Sequence, residues 1–229
     1  MKSYAVIGAN WGDEGKGLIT DYLCRQVENP LVIRYNGGAQ AGHTVVTPEG
    51  NKHIFSHFGS GTFTGAPTFL SKYFIVNPIL FRKEYNSIEE NITKNPIVVV
   101  SPDCIITTPF DMMINQAIEE KRNKNRHGSC GYGIFETIHR NKVPGFHFTI
   151  RDLNIWGHQK FHQYLTDIIK FWLPKRMEEL EIKEINPAAF YPETIESFIN
   201  CCEYFLERVV LCDEISISNM GFDKHTLIF

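Results

Sequence analysis

The chain has 229 residues, of which 43% are hydrophobic and 21% charged, with a formal net charge of −3. That length can bury a substantial core, and the slightly acidic balance gives no electrostatic reason to expect nucleic acid or an anionic membrane as a partner. No apolar run approaches the ~18 residues of a membrane span. Six cysteines without a C-x-x-C pair read as reduced thiols, and the amino terminus MKSYAVIGAN enters a strand without a leader-like segment, so a cytoplasmic location is expected.

In chain order, short runs rich in Val and Ile predict strands at 4–8, 31–35 and 97–101. A helix over about 16–27 separates the first two, which predicts a βαβ unit with parallel pairing. Further helices are expected at 108–124, at 161–173 with Pro174 as terminator, and at 193–210, where Ile195, Phe198, Ile199, Cys202, Phe205, Leu206 and Val209 recur at helical spacing. The closing stretch DKHTLIF reads as a strand starting up. Alternating helices and apolar strands predict an α/β fold, a central, largely parallel sheet with flanking helices in one domain over 1–229.

Four stretches carry chemical character. GANWGDEGKG (8–17) follows a strand and opens a helix, where backbone N–H groups and the helix dipole favour an anion. It departs from the G-x-x-x-x-G-K-[ST] phosphate loop, since Asn10 replaces the first glycine, Gly17 follows Lys16, and Asp13 and Glu14 sit inside the turn. RYNGGAQAGHTVV (34–46) offers Gly37, Gly38 and Gly42 for close backbone approach, with His43 and Thr44 as proton donor and hydroxyl. In a parallel sheet, loops at neighbouring carboxyl ends converge, so His43 and Asp13 could face one ligand. FSHFGSGTFTGAPT (55–68), with three glycines and alternating hydroxyls, is a weak signal alone, since a Gly/Ser/Thr hairpin or loop would look the same. RHGSCGYGIFETIHR (126–140) reads either as a surface loop or as a second anion nest with Arg140 as phosphate partner, and Cys130 as a buried structural thiol. His53, His57 and His127 lack zinc-ligand spacing. Two glycine turns, a carboxylate in one and a histidine across the crevice suggest phosphoryl transfer with Mg²⁺.

Trp11 to Gly17 (W-G-D-E-G-K-G), Gly38 to Thr44 (G-A-Q-A-G-H-T) and Gly128 to Gly133 (G-S-C-G-Y-G) together resemble the adenylosuccinate synthetase family, a relative of the phosphate-loop NTPases, and FSHFGSGTFTGAPTFLSKYFIVNP resembles its shorter, phage-like branch. The resemblance implies a ligase of purine biosynthesis joining L-aspartate to C6 of IMP with GTP. Asp13 would take the purine N1 proton and help bind Mg²⁺, with the Gly42 carbonyl as a second metal ligand, and His43 would stabilise the transferring phosphoryl group. Lys16 and the N–H groups of Gly15 and Gly17 would hold the GTP phosphates, with Gly12 and Glu14 of the same loop and Thr44 of the second segment also at the nucleotide. Gln40, Ser129 and Cys130 would lie near the nucleotide 5′-phosphate, and the family's homodimer would send Arg140 into the partner's site.

Gln40, Cys130 and Tyr132 stand where the family carries Asn, Thr and Arg, so nucleotide and aspartate contacts differ while the phosphoryl-transfer residues match. A phage variant acting on dGMP is an alternative substrate reading. There a small hydroxyl residue tends to occupy the Asp13 position, so Asp13 favours a purine without a 2-amino group. A noncatalytic nucleotide-binding module is another alternative. The resemblance also implies that guanine recognition and aspartate binding belong to a carboxyl-terminal half beyond this sequence, so that the chain alone makes little adenylosuccinate and the last strand leaves an unpaired, association-prone edge.

Overall fold

Strands covered on both faces read as continuous apolar runs, and two such runs, Leu31–Ile33 and Val98–Val100, are buried throughout. The computed structural model describes residues 2–10, 12, 14–89, 92, 95–125, 128–213 and 226–228. Its elements are β1 (Ser3–Tyr4), α1 (Lys16–Gln26), β2 (Pro30–Arg34), β3 (His43–Val46), β4 (Lys52–Phe55), β5 (Thr68–Leu70), α2 (Pro78–Glu89) and β6 (Val98–Val100). Then follow α3 (Pro109–Arg122), α4 (Ile134–Asn141), α5 (Ile150–Ile155), α6 (His158–Asp167), α7 (Leu173–Glu179), α8 (Pro192–Leu206), β7 (Val209–Leu211) and β8 (Thr226–Ile228).

Six strands form one sheet in the order β1-β8-β2-β5-β6-β7, and every neighbouring pair is parallel. The fold is therefore α/β with a parallel central sheet flanked by helices, as expected. The first βαβ unit differs from expectation. β1 and β2 are not neighbours, because β8 lies between them, pairing Tyr4 with Ile228 on one side and Val32 with Ile228 on the other. The unpaired edge expected at the last strand is consequently absent, since β8 has a partner on each side. β1 is also shorter than the predicted 4–8, and both its residues are exposed.

The largest apolar cluster joins α2, α3, α6 and α8 to one face of β5 and β6, through Phe81, Phe110, Phe161, Phe198 and Phe205. A second cluster on Leu31, Ile33, Phe69 and Val99 lines the other face, and a third ties Val32 and Ile228 to Cys24 of α1. α3 opens as its sequence dictates, with Thr108 as N-cap, Pro109 in the first turn and Asp111 closing a capping box.

The helix predicted over 193–210 stops at Leu206, because Val209–Leu211 pairs with β6 instead. Pro174 does not end the preceding helix. A π-helical segment, Ile168–Trp172, joins α6 to α7, and Pro174 falls in the first turn of α7, where its missing N–H costs little. Among the described residues no helix is long and apolar enough to cross a membrane.

Arg140 departs most from expectation. Its side chain is fully buried rather than free to reach a partner subunit. Nε and Nη2 donate to the two carboxylate oxygens of Asp111 at 3.0 Å each, Nη2 to the Ile106 carbonyl at 2.7 Å, and Nη1 to the Phe146 carbonyl at 2.8 Å and the Tyr164 hydroxyl at 2.6 Å. All its donating nitrogens are used inside the fold, and α3, α4 and α6 are pinned by one guanidinium. Removing one partner of such a pair strands the other charge in the core. Arg140→Met is expected to lose about 3–5 kcal/mol in denaturant unfolding, whereas Arg151→Ala, which breaks an exposed pair with Asp103, is expected to leave stability nearly unchanged.

Candidate functional site

The loops after β1 and β2 lie at the carboxyl ends of the sheet, where an open parallel sheet places its ligands. α1 begins at Lys16 behind Gly15, whose φ of 76° is left-handed, and no side chain caps the helix. No acidic residue stands in its first turn, so its N-terminal dipole is left for an external anion. Gly17 faces β3 directly. A Cβ there would stand 3.0 Å from the Cβ of His43 and 3.1 Å from the Thr44 carbonyl. The missing side chain is what lets the helix start and the His43 strand share one cleft.

That cleft has a volume of about 490 Å³ and is lined by Gly12, Glu14, Gly15, Lys16 and Gly17 on one side and by Gln40 to Thr44 on the other. Nine residues named from the sequence (Gly12, Glu14, Gly15, Lys16, Gly17, Gln40, Gly42, His43 and Thr44) thus line one space. Asp13 and Trp11 lie outside the described residues.

Glu14 turns back on its own loop. Its carboxylate accepts the Asn10 N–H at 2.5 Å and lies 3.5 Å from Lys16 Nζ. The Asn10 N–H, with help from Lys16, holds this carboxyl below the usual range. A Cβ on Gly8 would collide with the same carboxylate. Glu14 is therefore a brace of the loop, which accounts for one of the two acids placed among anion-binding amides.

His43 is half-buried. Burial first, then the charges of Arg34 and Lys16, push its imidazole down to about 4, so it is neutral at pH 7. Arg34, at the end of β2, escaped the sequence reading as a functional residue. It is 8% exposed, lies over the Phe74 ring at 5.3 Å, and donates from Nη2 to the Ala41 carbonyl at 3.2 Å, bracing the loop that carries Gly42 and His43. The signal was available, since a charged residue closing the apolar run Pro30–Ile33 just before Gly37-Gly38 has to be buried.

The remaining stretches divide. In 55–68 Gly59 and Gly61 serve packing, since Cβ atoms there would collide with Val32 and Cys24, while Gly65 supplies a left-handed φ of 83°. The buried Glu84 carboxylate accepts the N–H groups of Ser56 and His57 at 2.7 Å each, and His57 Nδ1 lies 3.2 Å from it. Burial pushes that carboxyl up, but the imidazoles of His53, with Nε2 at 3.8 Å, and His57 outweigh it and hold it at about 2. His57 Nε2 accepts the Asn77 N–H at 3.2 Å, which leaves Nδ1 to donate to Glu84.

Ser129 and Cys130 line neither this cleft nor the cavity beside it. The turn does form an anion nest, but the Glu119 carboxylate occupies it, accepting the Gly128 N–H at 3.1 Å and the Ser129 N–H at 3.4 Å. Cys130 is exposed, not a buried thiol. The Glu14 carboxylate is already engaged by the Asn10 N–H and Lys16, so among the described residues a hard cation here would draw on the backbone at Gly42 and on substrate phosphates.

Comparison with known proteins assigns the chain. The adenylosuccinate synthetase family model matches residues 5–218. The chain belongs to the adenylosuccinate synthetase family. It is 36% identical over 134 residues to the adenylosuccinate synthetase of Borrelia turicatae, an alignment covering 58% of this chain and 30% of that protein. It is 30% identical over 230 residues to that of Prochlorococcus marinus (strain MIT 9301), covering 100% of this chain and 50% of that protein. The chain thus spans about half the length of the curated relatives it matches end to end.

Among solved structures, the fully ligated adenylosuccinate synthetase from Plasmodium falciparum superposes with a TM-score of 0.75 at 23% identity, over 98% of this chain and 50% of that one. The succinoaminodeoxyadenylate synthetase of cyanophage S-2L, bound to dGMP and to dATP as an energy donor, gives 0.57 at 14% identity, over 99% and 50%. At these identities the two structures establish the shared synthetase fold.

The folded His43 resists a proton that the unfolded chain accepts near pH 6.5, so stability contributed at this site falls as pH drops from 6.5 to about 4. The His43 imidazole resonances are expected to titrate near pH 4, and Lys16→Met is expected to raise that midpoint. A midpoint near 6.5 would show an imidazole in open solvent.

Proposed function

We propose that this chain is the phosphoryl-transfer part of an adenylosuccinate synthetase-type ligase, an amino-terminal α/β unit that acts in joining L-aspartate to C6 of IMP with GTP. The observation that supports this most is the convergence of the uncapped helix start at Lys16-Gly17 with Gly42-His43-Thr44 in one cleft. A phosphate group needs the first, and a reacting phosphate needs the second beside it.

In this reading Lys16 and the amides of Gly15 and Gly17 hold the triphosphate. Asp13 accepts the proton from purine N1 as O6 attacks the γ-phosphorus. The O6–P bond forms, the bond to the β-phosphate oxygen breaks, and the nucleoside diphosphate leaves with the electron pair. Neutral His43 donates its one N–H to the transferring group, supplying charge stabilisation without adding a full positive charge. The amine of aspartate then adds at C6 and gives up one proton to the departing phosphate, which leaves with the C6–O6 electron pair. Asp13 and the Gly42 carbonyl would hold Mg²⁺, which when bound offsets the negative charge of the phosphates. Cytoplasmic location and a homodimer belong to the same proposal. Leu18, Ile19 and Tyr22, exposed along α1, supply an apolar face for a second subunit.

The dGMP-directed variant is the second reading, favoured by the fold shared with the cyanophage enzyme and disfavoured by the acid at position 13. Calorimetric titration with GTP, ATP, IMP and dGMP, each with Mg²⁺, separates them. Binding of IMP or GTP is expected, with Asp13→Ala weakening IMP and His43→Ala weakening GTP roughly tenfold or more. Preference for dGMP with a deoxynucleoside triphosphate would select the second reading. A folded chain that binds no nucleotide would overturn both.

A further inference from the structure

α6 carries the spacing H-x-x-x-H in His158 and His162, one helical turn apart and therefore on one face. That face runs beside α8. The buried rings of Phe161 and Phe198 meet at 6.0 Å, and this contact brings Glu196 of α8 opposite the two histidines. His158 Nε2 lies 3.6 Å from Glu196 Oε2, and His162 Nε2 lies 3.7 Å from Oε1. Each ring thus faces its own oxygen of one carboxylate, with the ring centroids 6.3 Å apart and the planes 26° from parallel.

The orientation of His162 adds a second observation. The Thr166 hydroxyl donates to the His162 carbonyl at 2.9 Å, so toward Nδ1, 3.5 Å away, it is left only to accept. The neutral ring then carries its proton on Nδ1 and its lone pair on Nε2, facing Glu196. A lone pair and a carboxylate oxygen placed face to face call for a cation between them. Both nitrogen–oxygen distances are longer than a hydrogen bond. They come within a few tenths of an ångström of the roughly 3.4 Å between two atoms bound tetrahedrally to one Zn²⁺ at about 2.0–2.1 Å.

We propose that His158, His162 and Glu196 bind one divalent transition cation of the Zn²⁺ class, which clips α6 to α8. Two imidazoles four residues apart on a helix are able to reach one zinc ion. With a carboxylate they make a mixed nitrogen and oxygen set that favours Zn²⁺ and its neighbours over Mg²⁺, which prefers oxygen alone. Three protein ligands leave a position for water. Among the described residues no three such side chains are already gathered round one point, so binding has to draw these together. That closure is open to them, because the side chains of His158, His162 and Glu196 are 59%, 43% and 50% exposed and can turn while Phe161 and Phe198 stay packed. The site shares no residue with the nucleotide cleft, and the inference stands whichever ligand the cleft takes.

The test titrates Zn²⁺ into the full chain and follows the imidazole NMR resonances of His158 and His162. Both rings are expected to shift together with one midpoint, to return when a chelator is added, and to stay in place with Mg²⁺. Glu196→Gln keeps the shape and removes the charge, and it is expected to raise the zinc midpoint at least about tenfold, the loss that follows even from removing a supporting group of a metal site. Rings that do not move with zinc would overturn the proposal, leaving only an ion pair between the helices. Separate midpoints for the two rings, an unchanged midpoint in Glu196→Gln, or equal shifts with Mg²⁺ would overturn it too. If Glu196→Gln fails to fold, the zinc and Mg²⁺ titrations of the unaltered chain still decide.

Discussion

The first turn of α1 and the first residues of β3 touch where Gly17 meets His43, and this contact makes a site out of two loops far apart in sequence. Any side chain at Gly17 would have to displace the His43 backbone or tilt the helix. With glycine there, the amides of the helix start and the His43 imidazole come within one cleft. The electrostatics follow from the same contact. His43 is drawn into a partly buried place near Lys16 and Arg34, which keeps it neutral, and the helix start stays unblocked because no side chain caps it.

Around this contact the protein uses buried charges as struts. Arg140 holds Asp111 and the Ile106 and Phe146 carbonyls, Arg176 holds Glu136 in a two-pronged pair at 2.8 and 3.0 Å, and Glu84 gathers the amides of the 56–58 segment. The Arg140 and Glu84 struts satisfy backbone groups that irregular connections would otherwise bury unpaired, whereas Arg176 joins α7 to α4 through side chains. They fix loop positions more than they add stability, because desolvation offsets much of the attraction. Among the described residues Arg34 is the exception, holding one carbonyl and leaving Nη1 without a hydrogen-bond acceptor.

Much of this was legible from local pattern. The strands at 31–35 and 97–101, the helices at 16–27 and 108–124 and the start of α8 follow from periodicity and caps, and the residues of the 490 Å³ cleft follow from glycines placed after strands. What was not legible depended on distant partners. β8 enters between β1 and β2 from nearly two hundred residues away, and no local signal in KSYAVIG announces it. Arg140 resembled a phosphate ligand because Asp111, its partner, is 29 positions distant. Pro174 looked like a terminator because the π-helical turn that accommodates it has no sequence signature of its own. Cys130 was taken as buried on the habits of its residue type, yet its turn is folded outward by Glu119.

The central claim is that the cleft between residues 12–17 and 40–44 is where nucleotide phosphates sit. Amide NMR shifts recorded while GTP and Mg²⁺ are added to the labelled chain test it most directly. The account predicts large changes at Gly15, Lys16 and Gly17, with accompanying changes at Gly42, His43 and Thr44. Changes centred instead on the open groove at the opposite ends of the strands, around Tyr85, Ile97 and Arg208, with the 12–17 amides unmoved, would contradict it.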